Sequence, residues 1–251
     1  MNSGGIGRFF ADQAKAFLLA LGFLTRMGPA LPATALEMSR ACAWYPLVGL
    51  ALGIVLTVPL SPLHGQDWVC AWLYVALSAW LTRALHLDGF ADLLDALGSG
   101  RSGEDFQAVL KDSHVGAFGC VGLVLAVAGH ILLAAACFSS GTIAPLAAAP
   151  VFGRCLPFFL SLLAPPNPKA RLGALMADAP LVPSLFLATA GSIGVLALLP
   201  TSGIVPLIAM TAICLLGLRR VAQRQGGYNG DFCGFAIVCG ELAVLLSAVW
   251  Q

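Results

Sequence analysis

Seven apolar stretches decide what this chain can fold into. They lie at about 42–60, 68–85, 117–138, 142–163, 181–200, 203–218 and 232–250. Each is close to the roughly 20 residues that cross a hydrocarbon core as a helix. In lipid every backbone polar group must be paired within the protein, so such stretches become helices or closed barrels and never open strands. Of the 251 residues 59% are hydrophobic and only 10% are charged, where a soluble domain carries about 25% charge. The expectation is an all-α, polytopic transmembrane helix bundle of about seven spans, a single integral membrane domain over residues 1–251. Residues 1–40 read as a cytoplasmic or interfacial segment: the apolar run Phe17–Leu24 is too short to span and is flanked by Lys15 and Arg26, which predicts an interfacial or re-entrant helix.

The positive charges orient the bundle. Arg8, Lys15, Arg26 and Arg40 precede the first span, and Arg83, Arg101 and Lys111 surround the second connection. Lys169 and Arg171 lie in the fourth connection, and Arg219, Arg220 and Arg224 in the sixth. Twelve of the 13 Lys and Arg residues thus fall on one side, which the positive-inside rule makes cytoplasmic. The predicted protein is a multi-pass inner-membrane protein with a cytoplasmic N-terminus and a periplasmic C-terminus. A net charge of +1 gives no sign of nucleic-acid binding, and the eight cysteines are scattered without a CxxC. They read as small buried hydrophobes.

Two charges break the pattern. Arg154 lies well inside the fourth span and Glu241 inside the last. An intramembrane arginine costs at least ~2.5 kcal/mol unless it is paired or hydrated. Arg154 should therefore face an internal polar cavity and an anion, or pair with Glu241 and fix helix packing.

The remaining polar residues crowd where spans meet the cytoplasm, which predicts a polar pocket on that face. His86-Leu87-Asp88-Gly89-Phe90-Ala91-Asp92-Leu93-Leu94-Asp95 places three of the chain's 12 acidic residues within eight positions. On a helix Asp88, Asp92 and Asp95 stand at i, i+4 and i+7 and share one face. Such a face is either a solvated loop start or a site for Mg²⁺, a hard ion held by one or two carboxylates plus substrate phosphates. The same connection carries Lys111-Asp112-Ser113-His114-Val115-Gly116, and the sixth carries Gly226-Gly227-Tyr228-Asn229-Gly230-Asp231. Carboxylates, basic side chains and closely approachable glycines are the ingredients of metal-assisted phosphoryl transfer. Asp231 could equally be an ordinary helix N-cap. His86 and His114 are candidates for a general base, because imidazole titrates near neutral pH.

These three motifs, with Phe23-Leu24-Thr25-Arg26, Arg40, Tyr45-Pro46-Leu47-Val48-Gly49, Gly153-Arg154 and Glu241 in the same order, resemble the signature of the cobalamin synthase family, the adenosylcobinamide-GDP ribazoletransferases. His114 stands where that pattern has arginine, and Asn229 where it has threonine. The resemblance implies a Mg²⁺-dependent membrane enzyme that joins adenosylcobinamide-GDP and α-ribazole, or its 5′-phosphate, to give adenosylcobalamin or its 5′-phosphate and GMP. It implies Asp88, Asp92, Asp95 and Asp231 as metal ligands, with Asp112 a further ligand or base and His86 the general base. Arg83, Lys111 and Arg154 would bind phosphate oxygens, and His114, Gly227 and Asn229 complete the substrate-binding set. The competing readings are another Mg²⁺-dependent membrane alcohol phosphotransferase, a prenyltransferase or a transporter. A prenyltransferase would carry two like aspartate motifs, whereas the second motif here offers Asp231 alone. A transporter would distribute polar residues through both leaflets.

Overall fold

The computed structural model describes residues 3–63 and 65–250, which form twelve helices and no strand. Helix α1 (Ser3–Leu24) begins well before the apolar run that announced it. Its middle, Ala11–Ala20, is rich in good helix formers. Ala16, Leu19, Ala20 and Leu24, at helical spacing, turn inward while Phe9 and Phe10 stay exposed. Helix α2 (Ala35–Cys42) starts at a capping box: Glu37 N–H donates to the Thr34 hydroxyl at 3.3 Å, and the Thr34 N–H donates to the Glu37 carboxylate at 2.9 Å. Lys15 meets Glu37 at 2.5 Å and ties α1 to α2.

The first two expected spans take a different form. Helix α3 (Tyr45–Thr57) has 13 residues and α4 (Asp67–Leu81) has 15, both short of the roughly 20 needed to cross. Each is joined to a neighbour through a bend, α2 to α3 at 62° and α4 to α5 (Leu85–Gly98) at 87°. Five later helices stand as separate candidates: α7 (Ala117–Ser139), α8 (Ala144–Leu163), α10 (Leu181–Leu198), α11 (Thr201–Arg224) and α12 (Gly230–Ala248). Counting each bent pair as one span gives up to seven. Short helices α6 (Glu104–Val109) and α9 (Arg171–Ala177) sit in the connections. Helix α11 outruns its apolar stretch, so Arg219, Arg220 and Arg224 ride exposed on its last two turns.

The bend between α4 and α5 uses neither glycine nor proline. Arg83 and Ala84 both adopt left-handed backbone, with φ of 56° and 53°, a conformation costly for side-chain-bearing residues. The surroundings hold it there. The Arg83 guanidinium donates to Phe23 O at 2.6 Å and Gly22 O at 3.1 Å, the last carbonyls of α1. Arg26 returns the contact, its N–H donating to Leu81 O at 2.7 Å and its Nε to Trp80 O at 2.9 Å.

Helices α8 and α12 form the centre. Of their apolar windows 67% and 61% are buried, against 17% for α10 and 22% for α11. Helix α3 and α10 pack on α8, α5 and α11 on α12, and α4 on α7. Exposed Val121, Val124, Leu125, Phe186, Ile193, Val205 and Ile213 present the outer apolar faces that a bilayer solvates. Pro150 inside α8 has no N–H for Leu146 O. The Tyr74 hydroxyl of α4 supplies the missing donor at 2.8 Å.

Candidate active site

Helix α5 is two-faced. His86, Gly89, Phe90, Ala91, Leu93 and Ala96 are buried, Asp88 is exposed, and Asp92 and Asp95 are half-buried. The buried face lies against α12, where Phe90 stacks on Phe235 with centroids 4.9 Å apart. Gly89 makes the crossing close: a Cβ there would sit 2.8 Å from Asp231 Cα. This brings Asp231 beside the turn of α5 that carries Asp88 and Asp92. Among the described residues no lysine, arginine or histidine pairs with Asp88, Asp92 or Asp231.

Asp231 is not the cap of α12. Asn229 is: its Oδ1 accepts from the N–H groups of Asp231 at 3.1 Å and Phe232 at 3.3 Å, and its Nδ2 donates to Asp231 Oδ2 at 2.7 Å. One Asp231 oxygen is thus held while the first turn of α12 presents the group towards α5. Asp95 does cap a helix. Its two oxygens accept from Gly116 N at 2.7 Å and Gly119 N at 2.8 Å, the N-terminus of α7, where a negative charge is favoured.

A pocket of about 380 Å³ opens next to Asp231, lined by Lys111 and Asn229 from the expected set and by Glu104, Gln107, Asn167 and Lys169, which sequence reasoning missed. Three connections cross to build it. Tyr228 N donates to Pro165 O at 2.9 Å and Asn167 N to Tyr228 O at 2.8 Å. Gln107 Nε2 donates to Gln225 O at 2.8 Å, and Asn167 Nδ2 to Gln107 Oε1 at 3.0 Å. Gly227, at φ 109°, lies against Pro166 and Asn167 backbone where a Cβ would collide. Its role in the structure is this crossing of chains. The only sequence sign of the missed wall was a polar pair, Asn167 and Lys169, set among prolines 165, 166 and 168.

Other expected site residues lie apart from this pocket. Asp112 accepts from the His114 N–H at 3.0 Å and its Oδ1 lies 2.6 Å from the ring Nδ1, and both side chains are exposed. Hydrogen bonding by the His114 ring and N–H holds the Asp112 carboxyl below its ordinary value. Arg83 is spent on the α4–α5 bend. His86 faces away from Asp88, on the buried side of α5, and lines a cavity of about 40 Å³ with Tyr74, His130 and Glu241. Arg154, 1% exposed, donates to Glu241 Oε1 at 2.6 Å and Pro150 O at 3.0 Å, and His130 Nε2 stands 3.6 Å from Glu241 Oε2. Of the two readings of Arg154, pairing with Glu241 is the arrangement present. Arg154 Nε and Nη2 and His86 Nε2 are buried without a protein partner, and the small cavity has room for roughly three waters.

The chain resembles a set of named proteins over most of its length. It is 42% identical over 236 residues, 92% of this chain and 96% of the other, to the adenosylcobinamide-GDP ribazoletransferase of Nitratidesulfovibrio vulgaris strain DP4. It is 41% identical over 247 residues to the protein of that name from the Miyazaki F strain, covering 97% and 98% of the two chains. The protein so named from Thiobacillus denitrificans is 36% identical over 247 residues, 93% of this chain and 94% of its own. No solved structure matches. The family model described as Cobalamin-5-phosphate synthase matches residues 16–249, and the chain belongs to that family.

Proposed function

We propose that this protein is an adenosylcobinamide-GDP ribazoletransferase whose reaction takes place where α5 crosses α12. The observation that carries the reading is the close crossing that sets Asp231 against the turn of α5 bearing Asp88 and Asp92, with no protein cation paired to them among the described residues, beside a pocket edged by Lys111 and Lys169, in a chain of this family. A hydroxyl oxygen of α-ribazole, or of its 5′-phosphate, bonds to the phosphorus that carries the corrinoid arm. The bond from that phosphorus to the bridging oxygen breaks, and GMP leaves with the electron pair. The hydroxyl proton passes to a carboxylate of the cluster, and His86, on the opposite face of α5, takes no part.

The donor set fits Mg²⁺. Its oxygens are hard and mutually repelling, and among the described residues no group of three His, Cys, Asp or Glu side chains is placed to hold a metal ion by itself, so the protein would supply only one or two ligands. That suits an ion completed by substrate phosphate and water. Asp92, with Asp88 or Asp231, would hold it, and bound there it would offset the charge of the diphosphate. Lys111 neutralises phosphate oxygens at the mouth of the pocket. Asp95 keeps α7 in register with α5, and Asn229 fixes the rotamer of Asp231. The pocket faces the cytoplasm of an inner membrane, in agreement with the basic residues gathered around it, and a C-terminal reporter fusion reads out as periplasmic.

The direct test is incubation of membranes containing the protein with adenosylcobinamide-GDP and α-ribazole, with and without Mg²⁺. Corrinoid product and GMP in equal amounts, only with the metal, are expected. Product formed at the same rate in chelator overturns the metal assignment, and no product under any divalent cation overturns the activity.

A further inference from the structure

The geometry points to the pocket behind Asp231 as the seat of the nucleotide half of the donor substrate, with the guanine against α6 beside Lys169 and its phosphate towards Lys111. This assignment rests on the transferase reading for its choice of base. The cavity of about 380 Å³ falls within the ~300–1,000 Å³ typical of small-molecule sites. Its surface is largely apolar, as suits a flat base, and its wall includes Asp231 of the carboxylate cluster and Glu104 on α6. A nucleotide laid along it has its phosphate end at Lys111 and its base at Glu104 and Gln107, with Lys169, 3.9 Å from Glu104, on the base side.

The unused hydrogen-bonding capacity matches guanine. The Gln107 amide spends one N–H on Gln225 O, and the Asn167 amide spends one on Gln107 Oε1, which leaves each a second N–H. Either can donate to guanine O6. Glu104 is 97% exposed at its side chain and among the described residues its only ion pair is a 3.9 Å contact with Lys169, so its oxygens are available to N1–H and the 2-amino group. The benzimidazole of α-ribazole has no exocyclic donor to offer that carboxylate. The acceptor nucleoside therefore enters from elsewhere, across the carboxylates from the guanosine.

Equilibrium dialysis of labelled GMP against the purified full-length protein, with Mg²⁺ present, tests this without turnover. GMP is expected to bind better than IMP, which lacks the 2-amino group. Lys169→Ala should weaken GMP by about 10-fold, and Glu104→Gln should abolish the preference over IMP. Gln107→Ala should raise KM for adenosylcobinamide-GDP and leave KM for α-ribazole unchanged. Lys169 and Glu104 are exposed, so loss of fold does not explain a loss of binding. GMP affinity indifferent to both variants in a protein that still makes corrinoid product overturns the pocket assignment alone. Lys169-dependent GMP binding in a protein that makes no product upholds the pocket and overturns the transferase reading. Displacement of GMP by α-ribazole one for one overturns the assignment of separate sides.

Discussion

Two groups of charges sit within this bundle, and they are built on opposite plans. In the interior, Arg154 of α8 meets Glu241 of α12 at 2.6 Å, with His130 of α7 3.6 Å from the same carboxylate. Opposite signs are balanced there before any ligand arrives. At the crossing of α5 and α12, Asp88, Asp92 and Asp231 are gathered with no protein cation paired to them among the described residues. The first arrangement joins three helices where water is scarce. The second holds like charges together at the end of the bundle, where a cation and a polyanionic substrate can reach them. The ionisable groups of this bundle thus divide into a set paired within the protein and a set with no protein cation paired to it among the described residues.

The comparison can be broken from either side. Glu241→Ala should have the largest effect, a loss of about 3–5 kcal/mol, because it strands a buried guanidinium. Thermal denaturation in detergent measures it, and the joint replacement Arg154→Met with Glu241→Leu should recover most of the loss. If Glu241→Ala keeps parental stability, the interior group is not structural. Asp92→Ala should do the reverse, lowering turnover by about 100-fold or more with denaturation unchanged or shifted upward, since like-charge repulsion is relieved. Near-parental turnover of that variant at saturating Mg²⁺ would remove Asp92 from the chemistry. Gly89→Ala sharpens the contrast, because its Cβ would press on Asp231 Cα at 2.8 Å. Turnover should fall by about 10-fold as the two acidic sites part, and the apparent Mg²⁺ requirement should rise, while the interior group 15 Å or so further along α12 is undisturbed.

The smallest effect belongs to Asp112. Its carboxyl is held below its ordinary value by His114, so the local contribution of the pair is present above the unfolded value and is lost as pH falls through the folded one. Protection of the His114 amide, its exchange relative to the intrinsic rate, should accordingly fall on acidification, and Asp112→Asn should lower it at neutral pH with turnover changed by less than about 2-fold. A large loss of turnover would return Asp112 to the site.

How much of this was legible in the sequence depends on how local each cause is. Helices α7, α8, α10 and α12 follow from apolar length alone, and the shared face of Asp88, Asp92 and Asp95 follows from helical spacing. The pairing of Arg154 with Glu241 was one of two readings, since desolvation demands a partner without naming it. The left turn at Arg83–Ala84 was not legible: neither residue favours that backbone, and only the carbonyls of α1 make it tolerable. The role of Asp231 depended on whether Asn229 or Asp231 capped α12, a matter of one residue in register. The wall of Asn167 and Lys169 was hidden because it exists only where residues 164–170 cross residues 225–230, far apart in the chain and joined by backbone hydrogen bonds. Short apolar runs misled in one respect, since α3 and α4 reach the expected span only through bends.

The fastening of the α4–α5 corner by the C-terminal carbonyls of α1 has a consequence for biogenesis. Segment 85–98 can coil on its own, but its acidic edge acquires a fixed heading only once α1 has settled alongside. The heading of the proposed site is therefore tied to a helix that precedes it in the chain, and lesions around Gly22 and Phe23 should disturb acidic residues they never touch.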